Sequence, residues 1–136
     1  MPEVIYDPSQ TDFSRAGKHH YQVAFHQDSS WGYSLVPLAV ITGLRKSAPQ
    51  ARTTGVMASG GIRGNEYEGP VAVKRLCHDL DPEEVSGRVI LIPQLSSSAC
   101  IANQRSSPLD GVHMNRAFPG NPRGTTLYVV SEEIRM

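Results

Sequence analysis

The chain has 136 residues, 13 basic and 13 acidic side chains and a formal net charge of zero. That length points to one domain, the 39% hydrophobic content excludes wholesale disorder, and the charge balance argues against a nucleic-acid binder, which carries a basic face. No apolar run approaches the roughly 18 residues of a membrane helix, residues 1–15 lack a signal-peptide core, and two cysteines are too few for a disulfide framework, so a cytoplasmic protein is expected.

Residues 1–24 are polar and aperiodic and are expected to form a loose arm. His19 and His20 lie in it and read as solvated rather than as metal ligands. The run YSLVPLAVIT, Tyr33–Thr42, is apolar and partly β-branched, which predicts a strand. Pro37 cannot donate to a ladder, so that strand is expected at a sheet edge or with a bulge. Residues 44–52 read as a loop. Residues 53–59 (TTGVMAS) predict a second strand, buried on both faces, ended by Gly60 and Gly61.

Residues 66–80 predict a helix. Ala72, Val73, Leu76, Cys77 and Leu80 recur at three- and four-residue spacing and form one apolar face. Asn65 is the expected N-cap, with Glu68 completing a capping box. Asp81-Pro82 ends the helix, because the residue before proline avoids the helical region. Residues 87–93 (GRVILIP) predict a third, buried strand. Strand, helix and strand in residues 53–93 make a βαβ unit, so the class is α/β with a mostly parallel or mixed sheet. In such sheets chemistry gathers at the carboxyl ends of the strands, which here are residues 59–65 and residue 94 onward.

The first of these loops reads GGIRGNEYEGP, residues 60–70, and puts Glu66 at the helix mouth. The second reads RSSPLDGVHMNRAFPGNPRG, residues 105–124, and holds Arg105, Asp110, His113, Asn115, Arg116 and Arg123. An Arg beside an Asn offers a fork of donors suited to a carboxylate. A solvated loop whose arginines cap carbonyls fits the same spacing equally well. Trp31 and Phe118 read as packing anchors, and Cys77 as a small core residue.

These two loops, GGIRGNEYEGP and DGVHMNRAFPG, resemble the succinylglutamate desuccinylase/aspartoacylase family, which shows G-x-H-G-N-E-x-x-G and D-G-x-N-x-N-R-x-F-P-G in that order. The branch acting on N-acetyl-diaminobutyrate is the most similar, and residues 29–40 and 81–93 fit it too. The resemblance spans residues 25–125. It implies a partial carboxypeptidase-like α/β/α fold and a zinc-dependent amide hydrolase that removes an acyl group from an N-acylated amino acid. It implies Glu66 as a zinc ligand, Asn115 and Arg116 as the pair holding the substrate carboxylate, and Arg105 as the arginine holding the developing oxyanion.

Three departures accompany the resemblance. Arg63 stands where the family has a zinc-binding His; a guanidinium has no acceptor lone pair and cannot ligate a metal, but it can pair with Glu66. His113 replaces an Asn of the second motif. The family's third zinc ligand and its general-base Glu are expected beyond residue 136, so the chain reads as a single truncated N-terminal portion. Glu132 and Glu133 match no family position and read as solvated. The expectation is therefore a family of zinc amidohydrolases acting on a small N-acyl amino acid, with neither nucleic acid nor membrane as partner, and this polypeptide inactive alone. The competing expectation is a non-enzymatic remnant that binds a carboxylate ligand or a partner chain through residues 105–124. With one helix to cover the sheet, self-association is also expected.

Overall fold

The computed structural model describes residues 2–26, 32–44, 55–127 and 129–130. They form a mixed sheet of five strands: β1 (Glu3–Ile5), β2 (Gly17–His26), β3 (Tyr33–Thr42), β4 (Gly55–Ser59) and β5 (Arg88–Ile92). The spatial order is β1-β2-β3-β5-β4. β1 runs parallel to β2, β2 and β5 run antiparallel to β3, and β4 runs parallel to β5. Helix α1 (Glu68–Asp79) connects β4 to β5, so the βαβ unit is present, and the short helix α2 (Ser97–Ala102) follows β5. Among the described residues no helix is long and apolar enough to cross a membrane.

Of the residues expected as a loose arm, 3–5 and 17–24 are instead ordered into the sheet. Residues 17–26 pair along their whole length with β3, from Gly17↔Thr42 to His26↔Tyr33. Tyr21, Val23 and Phe25 alternate, and all three are buried; this period of two is a strand signal. His19 and His20 therefore sit on β2, where the His19 ring Nε2 lies 2.8 Å from the Ala16 carbonyl.

β3 lies inside the sheet, not at its edge. Pro37 pairs with Gln22 of β2, while the ladder to β5 covers only Ala39 to Thr42. The proline thus occupies a stretch with a neighbour on one side, which is how a residue without an N–H fits a central strand.

The sheet buries both faces by alternation along β3. Leu38 and Val40 belong to one cluster with Val23, Phe25, Ile92, Leu95, Met114, Ala117 and Leu127. Ala39 and Ile41 belong to the other, with Val73, Val85 and Leu91. Helix α1 covers the second face, and Val112, Met114, Ala117, Leu127 and Val130 cover part of the first. Residues 105–124, expected as irregular, thereby supply core.

Four expectations are corrected by the structure. β4 is not buried on both faces: it is an edge strand among the described residues, with Val56 and Met57 59% and 45% exposed. Helix α1 begins at Glu68 with Tyr67 as N-cap and no side-chain cap bond, so Asn65 does not cap it; Pro70 then falls in the first turn, where its missing N–H has no helical partner to lose. Its apolar face is narrower than the spacing suggests: Val73 is buried, Cys77 and Leu80 are half-buried, and Ala72 and Leu76 are exposed. The predicted helix end does occur, with Leu80 extended as C-cap. Phe118 is 39% exposed and anchors little. Trp31, Thr53, Thr54, Glu132 and Glu133 lie outside the described residues.

An open apolar cavity of about 270 Å³ lies beside Phe13, Phe25, Leu38, Met57, Ile90 and Ile92. With Val56 and Met57 at the adjoining edge, this surface favours association. The thermal midpoint is expected to rise with protein concentration; a monomer by sedimentation whose midpoint is constant across a hundredfold dilution would contradict this.

Candidate functional site

The two loops that leave the carboxyl ends of β4 and β5 are tied together by backbone bonds. Gly60 N–H donates to the Ile92 carbonyl at 2.9 Å, Leu95 N–H to Gly60 O at 2.9 Å, and Ser96 N–H to Gly61 O at 3.0 Å. Gly61 has a φ of +71°, and a Cβ there would meet the Cys100 Sγ at 2.8 Å. Gly64 packs directly on α2: a Cβ would lie 2.1 Å from the Ala99 carbonyl and 2.3 Å from Gln104 O. At the far end of the loop the Tyr67 hydroxyl donates to Asn103 Oδ1 at 2.7 Å. Neither α2 nor this docking is apparent in the Ser-rich sequence that produces it. Burial raises the Cys77 and Cys100 thiols above their ordinary pKa, so neither is a ready nucleophile.

Arg63 and Glu66 form the ion pair that their spacing suggests, Nη1 to Oε1 at 3.1 Å. Both are partly exposed, so the pair adds little stability. Its chemical meaning is larger. A cavity of about 250 Å³ lies beside Gly60, Arg63, Glu66 and Glu68, at the position where the resemblance implies zinc. The donor set there does not fit a metal: the guanidinium cannot ligate, and it engages the one carboxylate assigned as a ligand. Among the described residues no group of three His, Cys, Asp or Glu is placed to hold a metal ion.

The second loop is built on two polar ties. Ser107 is buried; its hydroxyl lies 2.7 Å from the Ser98 hydroxyl and accepts from Leu109 N–H at 3.1 Å. Ser107 N–H donates to Val112 O at 3.1 Å, which closes residues 107–112 into a turn. The Asp110 carboxylate accepts from Val112 N–H and, across the loop, from Leu127 N–H, each at 3.0 Å. A 3-10 turn follows at Met114–Arg116. Met114 and Ala117 are buried while Asn115 and Arg116 stay exposed, so packing holds the turn and leaves the polar pair to solvent. His113 caps this turn, its Nδ1 accepting from Asn115 N–H at 3.2 Å.

His113 also reports how the loops meet. Its own desolvation, then the positive charges of Arg105, Arg63 and Arg116, hold its pKa below the ordinary 6.5. Arginines from the first loop, from the segment after α2 and from the 3-10 turn thus act on a single imidazole. Glu66 lies on Arg63, Asn115 is on the same turn as Arg116, and Gly64 against the Gln104 carbonyl brings the backbone beside Arg63 close to that beside Arg105. Asp110 opens the second loop motif, but neither its bond to Leu127 nor the part played by Ser107 is apparent in the sequence.

The lowered pKa has a sign. The fold favours neutral His113, so its contribution to stability is present above pH 6.5 and is lost as pH falls through the lower folded value. An imidazole titration by NMR is expected to give an apparent pKa below the ordinary one, rising in Arg105→Gln. An unshifted titration would place the arginines farther away than the structure does.

Residues 52–135 match the succinylglutamate desuccinylase/aspartoacylase catalytic domain. The chain belongs to this family. It is 36% identical over 124 residues to the N-alpha-acetyl-L-2,4-diaminobutyric acid deacetylase of Halomonas elongata, covering 89% of this chain and 34% of that one. Its fold matches a succinylglutamate desuccinylase/aspartoacylase from Rhodobacter sphaeroides with a TM-score of 0.78 at 35% identity, covering 90% of this chain and 36% of the other. It matches the product-bound structure of the ectoine utilization protein EutE from Ruegeria pomeroyi with a TM-score of 0.78 at 32% identity, with the same coverage. The chain therefore spans about a third of the length of these relatives.

Proposed function

We propose that this chain serves the family's chemistry, removal of an acyl group from a small N-acylated amino acid, by supplying the substrate-recognition corner of such a site. Asn115 and Arg116 hold the substrate carboxylate through a fork of donors. Arg105, across the same corner, balances the negative charge that develops on the amide oxygen. The observation that supports this reading is the packing of the two strand-end loops on each other, with Gly64 against the Ala99 and Gln104 carbonyls, and the turn that buries Met114 and Ala117 while leaving Asn115 and Arg116 exposed. The relative from Halomonas elongata, a deacetylase of an N-acetylated diamino acid, supports N-acetyl-diaminobutyrate as the first ligand to try. The cytoplasm fits the two free cysteines, Cys77 and Cys100.

By itself the chain is expected to bind such a ligand without hydrolysing it, because zinc, which would supply a lowered-pKa water in this family, meets the Arg63–Glu66 pair instead. The test has three readings: bound zinc, acetate released from N-acetyl-diaminobutyrate, and saturable binding of that compound. The expected result is zinc well below one equivalent, no acetate, and binding weakened about tenfold or more in Arg116→Ala, the loss of one charge-assisted contact. Zinc near one equivalent with turnover would make this chain an enzyme in its own right. Binding indifferent to Arg116→Ala would remove the recognition role.

A further inference from the structure

The 3-10 turn Met114–Arg116 is held at its start by an imidazole. His113 has an extended backbone, with φ −87° and ψ 117°, and its Nδ1 accepts from Asn115 N–H at 3.2 Å. Its carbonyl accepts from Arg116 N–H at 2.9 Å, so both members of the exposed pair are tied to one residue. Nδ1 accepts only while it carries no proton, with the ring N–H on Nε2. In the protonated ring both nitrogens are donors. Nδ1–H would then face Asn115 N–H, and the contact would change from attraction to repulsion. The usual capping residues, Ser, Thr, Asp and Asn, accept through oxygen across the neutral range. Histidine in that place makes the cap conditional on pH.

The charged groups that act on His113 are Arg105, Arg63 and Arg116, all positive. Of the acids on the two loops, Glu66 pairs with Arg63, and Asp110 accepts from Val112 and Leu127 N–H. Glu68 lies in the first turn of α1. Among the described residues no acid bonds the imidazole, so nothing offsets the loss of the cap when the ring is charged. We propose that His113 is a positioning residue: neutral, it caps the turn and presents Asn115 and Arg116 together; protonated, it releases them, so that ligand capture at this corner is lost on acidification. The inference rests on the anion-holding role given to Asn115 and Arg116 above and adds its control by pH. The fold favours the neutral ring, so release accompanies the fall of pH through a value below 6.5.

The experiment compares the full chain with His113→Asn and His113→Ala between about pH 7.5 and about pH 5. Amide hydrogen exchange, read by NMR and corrected for the intrinsic rate, reports on the turn without any ligand. Protection of the Asn115 and Arg116 amides is expected to fall about fivefold on acidification, the loss of one cap. It is expected to hold constant in His113→Asn, whose Oδ1 accepts throughout the range, and to be low throughout in His113→Ala. N-acetyl-diaminobutyrate keeps the charges of its carboxylate and amine over this range. Its binding to the parent is expected to weaken about fivefold with acid and to be independent of pH in both variants, with His113→Asn about fivefold the tighter of the two. Charge alone predicts the opposite direction, because an imidazolium beside Arg116 attracts a carboxylate. Binding that tightens with acid, amide protection that ignores pH, or a pH dependence that persists in His113→Asn would overturn the proposal. The two readings fail separately. N-acetyl-diaminobutyrate binding that ignores Arg116→Ala defeats the substrate assignment and leaves the exchange result to decide this one, whereas unchanged Asn115 protection defeats this one alone.

Discussion

Replacing Gly64 with alanine is expected to destabilise the fold by about 3–4 kcal/mol, the range of severe overpacking, and to weaken ligand binding with it. The added Cβ would lie 2.1 Å from both the carbon and the oxygen of the Ala99 carbonyl and 2.3 Å from Gln104 O. These are backbone atoms, so no side chain can swing away. Relief requires the loop and α2 to separate by more than about an ångström to regain ordinary contact, and interiors packed at crystal-like density resist that. Separation would stretch the Tyr67–Asn103 bond and move Arg63 from Arg105. Gly111 is the control. It has a φ of +69° and nothing within 4 Å of its Cβ position, so Gly111→Ala bears only the left-handed penalty of about 1–2 kcal/mol. Urea unfolding followed by circular dichroism reads both. Equal losses at the two positions would show that close packing at Gly64 is not what joins the loops.

Asp110→Ala is expected to cost about 3 kcal/mol, since two hydrogen bonds to a charged acceptor are removed at about 1.5–3 kcal/mol each, less relaxation. Asp110 Oδ1 accepts from Val112 N–H inside the turn, and Oδ2 accepts from Leu127 N–H seventeen residues on. The second bond holds the segment that carries Leu127 against the sheet, and with it the cover over Met114 and Ala117. Asp110→Asn keeps one acceptor oxygen and is expected to lose about half as much. The measurement is urea unfolding of both variants followed by circular dichroism. An alanine variant as stable as the parent would mean that apolar packing alone holds residues 105–127.

Both effects act on residues that lie in the two loop motifs, but the sequence does not show what they touch. Gly64 is one glycine among 12, and no local chemistry says that it packs on a helix while Gly111 meets open space. Its role depends on α2, which lies thirty-odd residues away and forms in a stretch whose Ser content favours turns as readily as helix. Asp110 is likewise a loop aspartate until Leu127 is folded beside it.

Local chemistry did determine a good deal. The apolar run at Tyr33–Thr42, the helix stop at Asp81-Pro82 and the βαβ order follow from side-chain sterics and hydrophobic periodicity, which operate over a few residues. The Arg63–Glu66 pair follows from a three-residue spacing between opposite charges. The two loop motifs were also enough to place the chain in its family. Tertiary structure decided the rest: that residues 17–26 join the sheet as a ten-residue strand, that β3 lies inside it with Pro37 in a one-sided stretch, that β4 is an edge among the described strands, and that Met114, Ala117, Leu127 and Val130 cover a sheet face. Each of these depends on which partner a segment finds, and a hydrogen-bond ladder or a buried face belongs to two segments at once. The docking of the two strand-end loops is of the same kind. Their glycines and charges are legible in the sequence, but their meeting requires the backbone contacts at Gly64 and Ser107 that bring distant segments together.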